Sequence, residues 1–231
     1  MSAYILQIDT ATEVCSVSLS LDGQVIHTIE AAEPNLHASK LTVFIDELLT
    51  KANIAYQDLS AVAVSKGPGS YTGLRIGVST AKGLCYALDI PLLAVNTLAS
   101  MYKGYALSHT LSDHTLYVPM LDARRMEVYM MIFDNRGDLL QDTEAVIIDS
   151  ETFQAYEGKN FVLFGSGAAK LKDLYNNLST VHIASDYQHS SAYLASTAFE
   201  MYQNKNFEDL IYFEPYYLKE FVATTPKPNK L

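Results

Sequence analysis

Cysteine is scarce in this chain, which has only Cys15 and Cys85 among its 231 residues, and tryptophan is absent. The two cysteines form no C-x-x-C pair, which argues against a disulfide framework and against a cysteine-based zinc site. We interpret both as small buried residues and not as reactive thiols.

Long apolar runs are also missing. Charge, glycine or proline interrupts each run before the roughly 20 residues that a bilayer span needs. The chain starts MSAYILQID, with a short apolar run that reaches Asp9 and no basic segment before it, which is not typical of a signal peptide. We therefore expect a cytoplasmic protein that does not enter a membrane.

Positive charge is in short supply. There are 16 lysines and arginines against 26 aspartates and glutamates, and the formal net charge is −10. A chain of this charge opposes a phosphate polyanion. If RNA is involved, we expect a partner to hold it.

Hydrophobic patterning divides the first hundred residues into strands and helices. Short apolar runs bounded by turns predict strands, and apolar residues at helical spacing predict amphipathic helices. The predicted strands are 4–8, 14–21, 25–29, 59–65 and 91–95, and the predicted helices are 35–52 and 71–88. A strand-helix-strand order implies a parallel, right-handed crossover, so the first lobe is predicted to be α/β.

The second half repeats this plan. The predicted strands are 116–121, 127–133 and 161–164, and the predicted helices are 168–178 and 191–204. The more polar stretch from Tyr102 to His114 is the candidate boundary, which gives an N-terminal lobe of residues 1–103 and a C-terminal lobe of residues 104–231. The tail after Val222 is predicted to be irregular. The shared plan suggests an ancient duplication.

A glycine-rich loop, residues 67–73, leads a predicted strand into a helix. A helix start offers free amide groups and the positive end of the helix dipole, which suit an anion. The GK[ST] ending of a P-loop is absent, and a simple tight turn is the alternative. The candidate residues for a weak nucleotide or anion site are Asp9, Thr10, Gly69, Ser70, Thr72 and Arg75.

Small residues recur along the helix that follows. Gly73, Gly77 and Ala81 stand at i, i+4 and i+8, which makes a smooth stripe that another helix can approach closely. That helix lies either in a partner or in this chain, for example residues 35–52. If it lies in a partner, Gly77→Arg is expected to leave the fold intact and abolish pairing. The candidate interface residues are Gly73, Ile76, Gly77, Thr80, Ala81 and Leu84.

The remaining polar residues form no local catalytic or metal-binding motif. The six histidines include no pair at helical metal-site spacing and no H-E-x-x-H motif. No nucleophile, base and orienting group can be assembled from local motifs. Arg124 and Arg125, on a predicted hairpin turn, could clamp a carboxylate or phosphate, or instead form a salt bridge with Asp122 or Glu127.

Three segments together resemble one family. Residues 5–12 (ILQIDTAT), 67–77 (GPGSYTGLRIG) and 122–129 (DARRMEVY) are similar in order and spacing to the TsaB family, also called YeaZ, and the likeness extends to residues 214–218 (EPYYL). It implies an α/β protein of the actin-like, RNase H-like fold, with two lobes that each hold a mixed sheet and flanking helices. It also implies descent from a common ancestor with TsaD, which transfers threonylcarbamoyl to N6 of an adenosine next to the tRNA anticodon.

The resemblance also implies a role. TsaD-like sequences carry a His-x-x-x-His metal motif where this chain has Thr97 and Met101, which do not suit an iron or zinc ion. Actin-like ATPases have a glycine in the first phosphate loop where this chain has Ala11, and a Cβ there disfavours tight nucleotide binding. We therefore expect no catalytic residue, no metal and no required cofactor, with at most weak ATP or ADP binding at a subunit interface.

The partners that the family implies are TsaD, in a heterodimer, and the ATPase TsaE. The chain is then a scaffold that binds and activates TsaD, helps recruit TsaE, forms a homodimer when alone and reaches tRNA only through the complex. Two other hypotheses stay open: a peptidase, since the family has been grouped with glycoproteases, and an autonomous actin-like ATPase. Hydrolysis measured on the purified chain distinguishes both from a scaffold.

Overall fold

Two five-stranded sheets form the framework of the protein, and a computed structural model describes residues 2–33 and 36–219. The first sheet has the order β3-β2-β1-β4-β5. β1, β2 and β3 are antiparallel, whereas β1, β4 and β5 are parallel. Its strands are β1 (Tyr4–Asp9), β2 (Cys15–Leu21), β3 (Gln24–Ala31), β4 (Leu59–Gly67) and β5 (Leu92–Asn96).

The second sheet repeats this topology in the order β10-β9-β6-β7-β8. β6, β7 and β8 form an antiparallel meander, and β9 and β10 extend the sheet in parallel with β6. Its strands are β6 (Thr115–Asp122), β7 (Glu127–Phe133), β8 (Leu139–Ile147), β9 (Asn160–Phe164) and β10 (Val181–Ala184). Each sheet thus contains an antiparallel meander and two parallel strands, which confirms the shared plan, although β8 and β10 are absent from the predicted strands.

Within residues 2–33 and 36–219, five α-helices flank the sheets: α1 (Leu36–Ala52), α2 (Tyr71–Leu88), α3 (Thr97–Ser108), α4 (Lys172–Tyr175) and α5 (Ala195–Gln203). α2 begins where predicted because Ser70 caps it, its side chain accepting a hydrogen bond from the Gly73 amide. The helix predicted over 168–178 is wrong in extent, since only a 3-10 turn and the single turn of α4 form there. Asn35 and the tail after Val222 lie outside the described residues.

The first sheet is covered on both faces. α1 and α2 bury one face around Leu41, Ile45 and Val78, and α5 packs through Ala198 on the other face. β4 is accordingly apolar from Ala61 to Val64, as expected of a strand buried on both sides. α5 brings the C-terminal part of the chain back onto the first sheet.

α3 is the one helix of more than a single turn that the sequence pattern did not predict. It runs through the stretch interpreted as a polar boundary, and its residues Tyr102 and Tyr105 pack against Tyr117 and Phe133 or Phe164 of the second sheet. The boundary predicted between residues 103 and 104 therefore falls inside a helix, and the division into two domains stays a prediction. Among the helices of residues 2–33 and 36–219, none has the length and hydropathy to span a bilayer.

Candidate functional site

The carboxylate of Asp9, at the end of β1, is enclosed and engaged through both oxygens. Its Oδ1 accepts a hydrogen bond from the Ala11 amide at 3.0 Å, and its Oδ2 lies 2.7 Å from Nε2 of His189. The side chains of Asp9 and His189 are 0% and 6% exposed. Because a carboxylate only accepts hydrogen bonds, this geometry assigns a proton to Nε2 of His189.

Tyr187 continues the chain of hydrogen bonds. Its hydroxyl lies 3.1 Å from Nδ1 of His189. Burial raises the pKa of Tyr187 well above its ordinary value, and Tyr193 and Asp9 act in the same direction. The phenol therefore stays protonated, and its hydroxyl donates a hydrogen bond to Nδ1. Sequence reasoning counted His189 among six histidines but missed this role, because Asp9 lies 180 positions away.

Three glycines of α2 and its loop, Gly69, Gly73 and Gly77, pack directly against the residues that follow Asp9. A side chain at Gly69 or Gly73 would overlap the carbonyl oxygen of Ala11 or Thr10, and one at Gly77 would overlap Oγ1 of Thr10. The two backbones are in contact here, and no room is left between them for a side chain or an anion.

The polar groups of this loop are used within the chain. The Ser70 amide donates to the Ala11 carbonyl at 2.7 Å, and the Ser70 hydroxyl accepts from the Gly73 amide at 3.2 Å. The Thr10 hydroxyl donates to the Gly73 carbonyl at 2.7 Å. The Ser70 amide, the Gly73 amide and the Thr10 hydroxyl thus all donate hydrogen bonds within the chain.

The six residues predicted as an anion site therefore do not form one open surface. Asp9 and Thr10 are fully buried, whereas Thr72 and Arg75 are exposed on α2. Gly69 and Ser70 lie between them, against Ala11. Weak ATP or ADP binding at a subunit interface stays a prediction.

The small-residue stripe faces inward, which corrects its assignment to a partner surface. Gly73, Gly77 and Ala81 are buried, and the glycines meet Thr10 of the same chain rather than another helix. Gly77→Arg would drive a long side chain into Thr10, so the expectation that this variant keeps its fold is wrong. The other three predicted interface residues, Ile76, Thr80 and Leu84, are half-buried.

The opposite side of α2 is open. We define the α2 outer face as the exposed residues Thr72, Arg75, Ser79, Gly83 and Tyr86. Tyr86 is 83% exposed, and a Cβ built at Gly83 meets nothing within 4 Å. Ile76 and Thr80 border this face and keep a place in the candidate interface.

The segment at residues 214–219 covers the start of α2. The Tyr216 amide donates to the Lys66 carbonyl at 2.7 Å, and the Tyr217 ring lies 4.8 Å from that of Tyr71. Nε of Arg75 donates to the Tyr217 hydroxyl at 3.3 Å. The EPYYL motif is thereby joined to the glycine loop.

Thr97 and Met101 open α3 where a TsaD-like sequence has histidines. Both are buried, and the Asn96 side chain caps the helix by accepting from the Leu98 and Ala99 amides. Across the described ranges, no three His, Cys, Asp or Glu side chains are grouped closely enough to hold a metal ion.

A cleft of about 600 Å³ lies between the lobes. Asn96 of the first sheet donates to the Thr143 hydroxyl of the second across it, at 2.9 Å. Its charged lining is acidic, with one lysine against three carboxylates, and would repel the phosphates of a nucleotide. These charged residues are Lys66, Asp142, Glu208 and Glu214.

At the β6–β7 turn the salt bridges considered for the arginine pair do not form, and the clamping of a carboxylate or phosphate stays a prediction. Asp122 forms an ion pair with Lys170, and Glu127 forms one with Lys219. The carboxylates that could have paired with Arg124 and Arg125 are thus taken by lysines. In the described part of the chain neither guanidinium has a salt bridge.

The chain is similar to known proteins over nearly its full length. A family model described as TsaD, tRNA N6-adenosine threonylcarbamoyltransferase, matches residues 30–224. The chain is 31% identical to the tRNA threonylcarbamoyladenosine biosynthesis protein TsaB of Escherichia coli strain K12, over 98% of this chain and 99% of that protein. It is 28% identical to the protein of the same name from Haemophilus influenzae, over 98% of both chains.

Solved structures agree. YeaZ from Pseudomonas aeruginosa superposes with a TM-score of 0.79 at 25% identity, covering 94% of this chain and all of that one. The predicted fold class, a two-lobed actin-like and RNase H-like α/β fold with a mixed sheet in each lobe, is confirmed.

Proposed function

Since this chain belongs to the TsaB family, related to TsaD, we propose that it is a non-catalytic subunit in the synthesis of N6-threonylcarbamoyladenosine in tRNA. In this proposal the chain binds and activates TsaD, and the pair helps recruit TsaE. Transfer of the threonylcarbamoyl group and the handling of ATP lie with those partners. The chain resides in the cytoplasm and forms a homodimer when TsaD is absent.

The observation that carries this proposal is the close packing after β1. Gly69 and Gly73 lie against Ala11 and Thr10, which leaves no room for an anion between the two backbones. The Asp9 carboxylate is buried and engaged by His189. This geometry favours a subunit that works through a partner over an autonomous ATPase.

The α2 outer face supplies a surface for that partner. Gly83 lies in a helix interior, where glycine costs about 1 kcal/mol relative to alanine, and no contact within the chain requires it. An exposed glycine permits another helix to approach closely, and Tyr86 beside it offers an aromatic anchor of the kind that interfaces favour. We assign TsaD to this face, with the homodimer using the same face when TsaD is absent.

Two substitutions at one position test the assignment. Gly83→Arg places a long charged side chain on the outer face, at a position where a Cβ meets no described atom within 4 Å, and Gly83→Ala adds only a methyl group. Association of each purified variant with TsaD is measured by analytical ultracentrifugation, with circular dichroism to verify folding. We expect Gly83→Arg to weaken association at least 100-fold and Gly83→Ala to change it less than about tenfold.

Two results would speak against this surface. If Gly83→Arg bound TsaD as the unmodified chain does, the partner would lie elsewhere. If Gly83→Arg and Gly83→Ala lost the same amount of affinity for TsaD, the loss would not arise from side-chain bulk on the outer face.

A further inference from the structure

In the described structure, the β6–β7 turn brings two arginines without a salt bridge together with two lysines, against two carboxylates. Asp122 and Glu127 flank it, and each is neutralised by a lysine from another segment, Lys170 or Lys219. Arg124 and Arg125 are exposed between them. The turn thus presents two free guanidinium groups on a chain whose formal net charge is −10.

The backbone holds these arginines in a specific conformation. Arg124 has φ of 73° and Arg125 has φ of 53°, both in the left-handed region that residues other than glycine rarely adopt. The turn is fixed by hydrogen bonds: the Arg124 amide donates to Asp122 Oδ1 at 3.0 Å, and the Ala123 amide donates to the Glu127 carbonyl at 3.1 Å. Lys170 also donates to that carbonyl, at 2.6 Å.

The turn lies close to the start of α2. Tyr217 contacts Arg75 on the α2 outer face, and Lys219, two residues later, contacts Glu127 at the base of the turn. The segment at residues 214–219 therefore contacts both the start of α2 and the base of the turn.

We propose that Arg124 and Arg125 bind phosphates of the tRNA backbone while TsaD holds the tRNA, an inference that rests on the proposed function. The planar guanidinium suits phosphate oxygens and stays charged at any physiological pH. The net negative charge of the chain opposes RNA only at long range, since salt screens charges over about 8 Å at physiological ionic strength. Once TsaD has brought tRNA to the complex, the turn adds a short-range contact that positions the substrate.

The test measures binding of unmodified tRNA to the complex of this chain with TsaD, by fluorescence anisotropy over a range of KCl concentrations. Arg124→Gln/Arg125→Gln removes both charges, and Arg124→Lys/Arg125→Lys keeps them. Arg136→Gln is the matched control for Arg125→Gln, since Arg136 is exposed on the turn at the other end of β7. Assembly of each variant with TsaD is measured separately, without tRNA.

Log affinity falls as log salt rises, and the loss of one phosphate contact lowers the steepness of this slope by about 0.7–0.9. We expect Arg125→Gln to lower the slope by about that amount, the double glutamine variant by about twice as much, and Arg136→Gln and the double lysine variant to leave it unchanged. Equal slopes for Arg125→Gln and Arg136→Gln would overturn the proposal. Failure of the glutamine variants to assemble with TsaD would overturn it too, because the turn would then contact protein.

The proposed function is judged by a separate readout, the modified nucleoside formed by the unsubstituted complex. If product depends on the chain while the slopes are equal, the phosphate contact fails and the proposed function stands. If the chain adds nothing to product, the proposed function fails whatever the slopes show.

Discussion

His189 donates a hydrogen bond from Nε2 to Oδ2 of Asp9 at 2.7 Å, and both side chains are buried. Asp9 ends the first strand, whereas His189 precedes α5, which packs on the opposite face of the same sheet from α1 and α2. The contact fastens the C-terminal part of the chain to the first lobe.

Removing the imidazole should leave Oδ2 of Asp9 without its hydrogen-bond donor, while Oδ1 keeps the Ala11 amide. A buried charge that is deprived of its partner typically costs about 3–5 kcal/mol, so we expect His189→Ala to lower the free energy of unfolding by that amount. Urea denaturation followed by circular dichroism measures it. His27→Ala, at an exposed position of β3, is the control and should change stability by less than about 0.5 kcal/mol. Similar stabilities for the two variants would show that the Asp9 contact is dispensable.

The two sides of α2 predict opposite signs for one substitution. At Gly73 a methyl group overlaps the Thr10 carbonyl, so Gly73→Ala should destabilise the chain by about 1–3 kcal/mol. At Gly83 the space is open, so Gly83→Ala should stabilise the helix by about 0.5–1 kcal/mol. Thermal unfolding at a concentration that keeps the chain monomeric checks both, and a gain in stability from Gly73→Ala would contradict the packing described here.

The cysteines should be protected until the protein unfolds. Burial raises the pKa of Cys15 to about 11, with the nearby Asp9 carboxylate adding to the effect, and burial raises the pKa of Cys85 to about 12. At pH 8 both are thiols, so we expect a disulfide reagent to label neither in the native chain and both in urea. Rapid native labelling of either would show that its burial is wrong.

The same shifts set an alkaline limit. The folded state holds these protons more tightly than the unfolded state, whose thiols ionise near pH 9.0. Their contribution is therefore complete below that pH and is lost as pH rises towards about 11 and 12. Urea denaturation between pH 8 and 11 measures the decline, which Cys85→Ala should make shallower. An unchanged slope in that variant would remove Cys85 from the account.

Local signals predicted much of the first lobe. Apolar patterning among neighbouring residues predicted strands over 14–21 and 25–29 and a helix over 71–88, which the structure has as β2, β3 and α2. The glycine stripe of α2 correctly predicted a close approach. Its partner, Thr10, lies 63 positions from Gly73, and periodicity carries no information at that separation.

Features set by tertiary structure were missed. α3 is buried on most of its surface, including Ser100 and Gly104 as well as Met101, so it has no polar side to mark it as an amphipathic helix. Ser16 and Ser18 of β2 are buried as well. Their hydroxyl groups are satisfied there because each lies within 2.8 Å of the Ser191 hydroxyl. These contacts, like that of Asp9 with His189, depend on distant residues that the fold brings together.

The central claim is that TsaD needs this chain to modify tRNA. The most direct measurement is formation of N6-threonylcarbamoyladenosine on unmodified tRNA by TsaD and TsaE, supplied with threonylcarbamoyl-adenylate and ATP, with and without the chain. We predict product only when the chain is present, and no ATP hydrolysis or proteolysis by the chain alone. Equal product without the chain, or ATP turnover by the chain alone, would contradict the account.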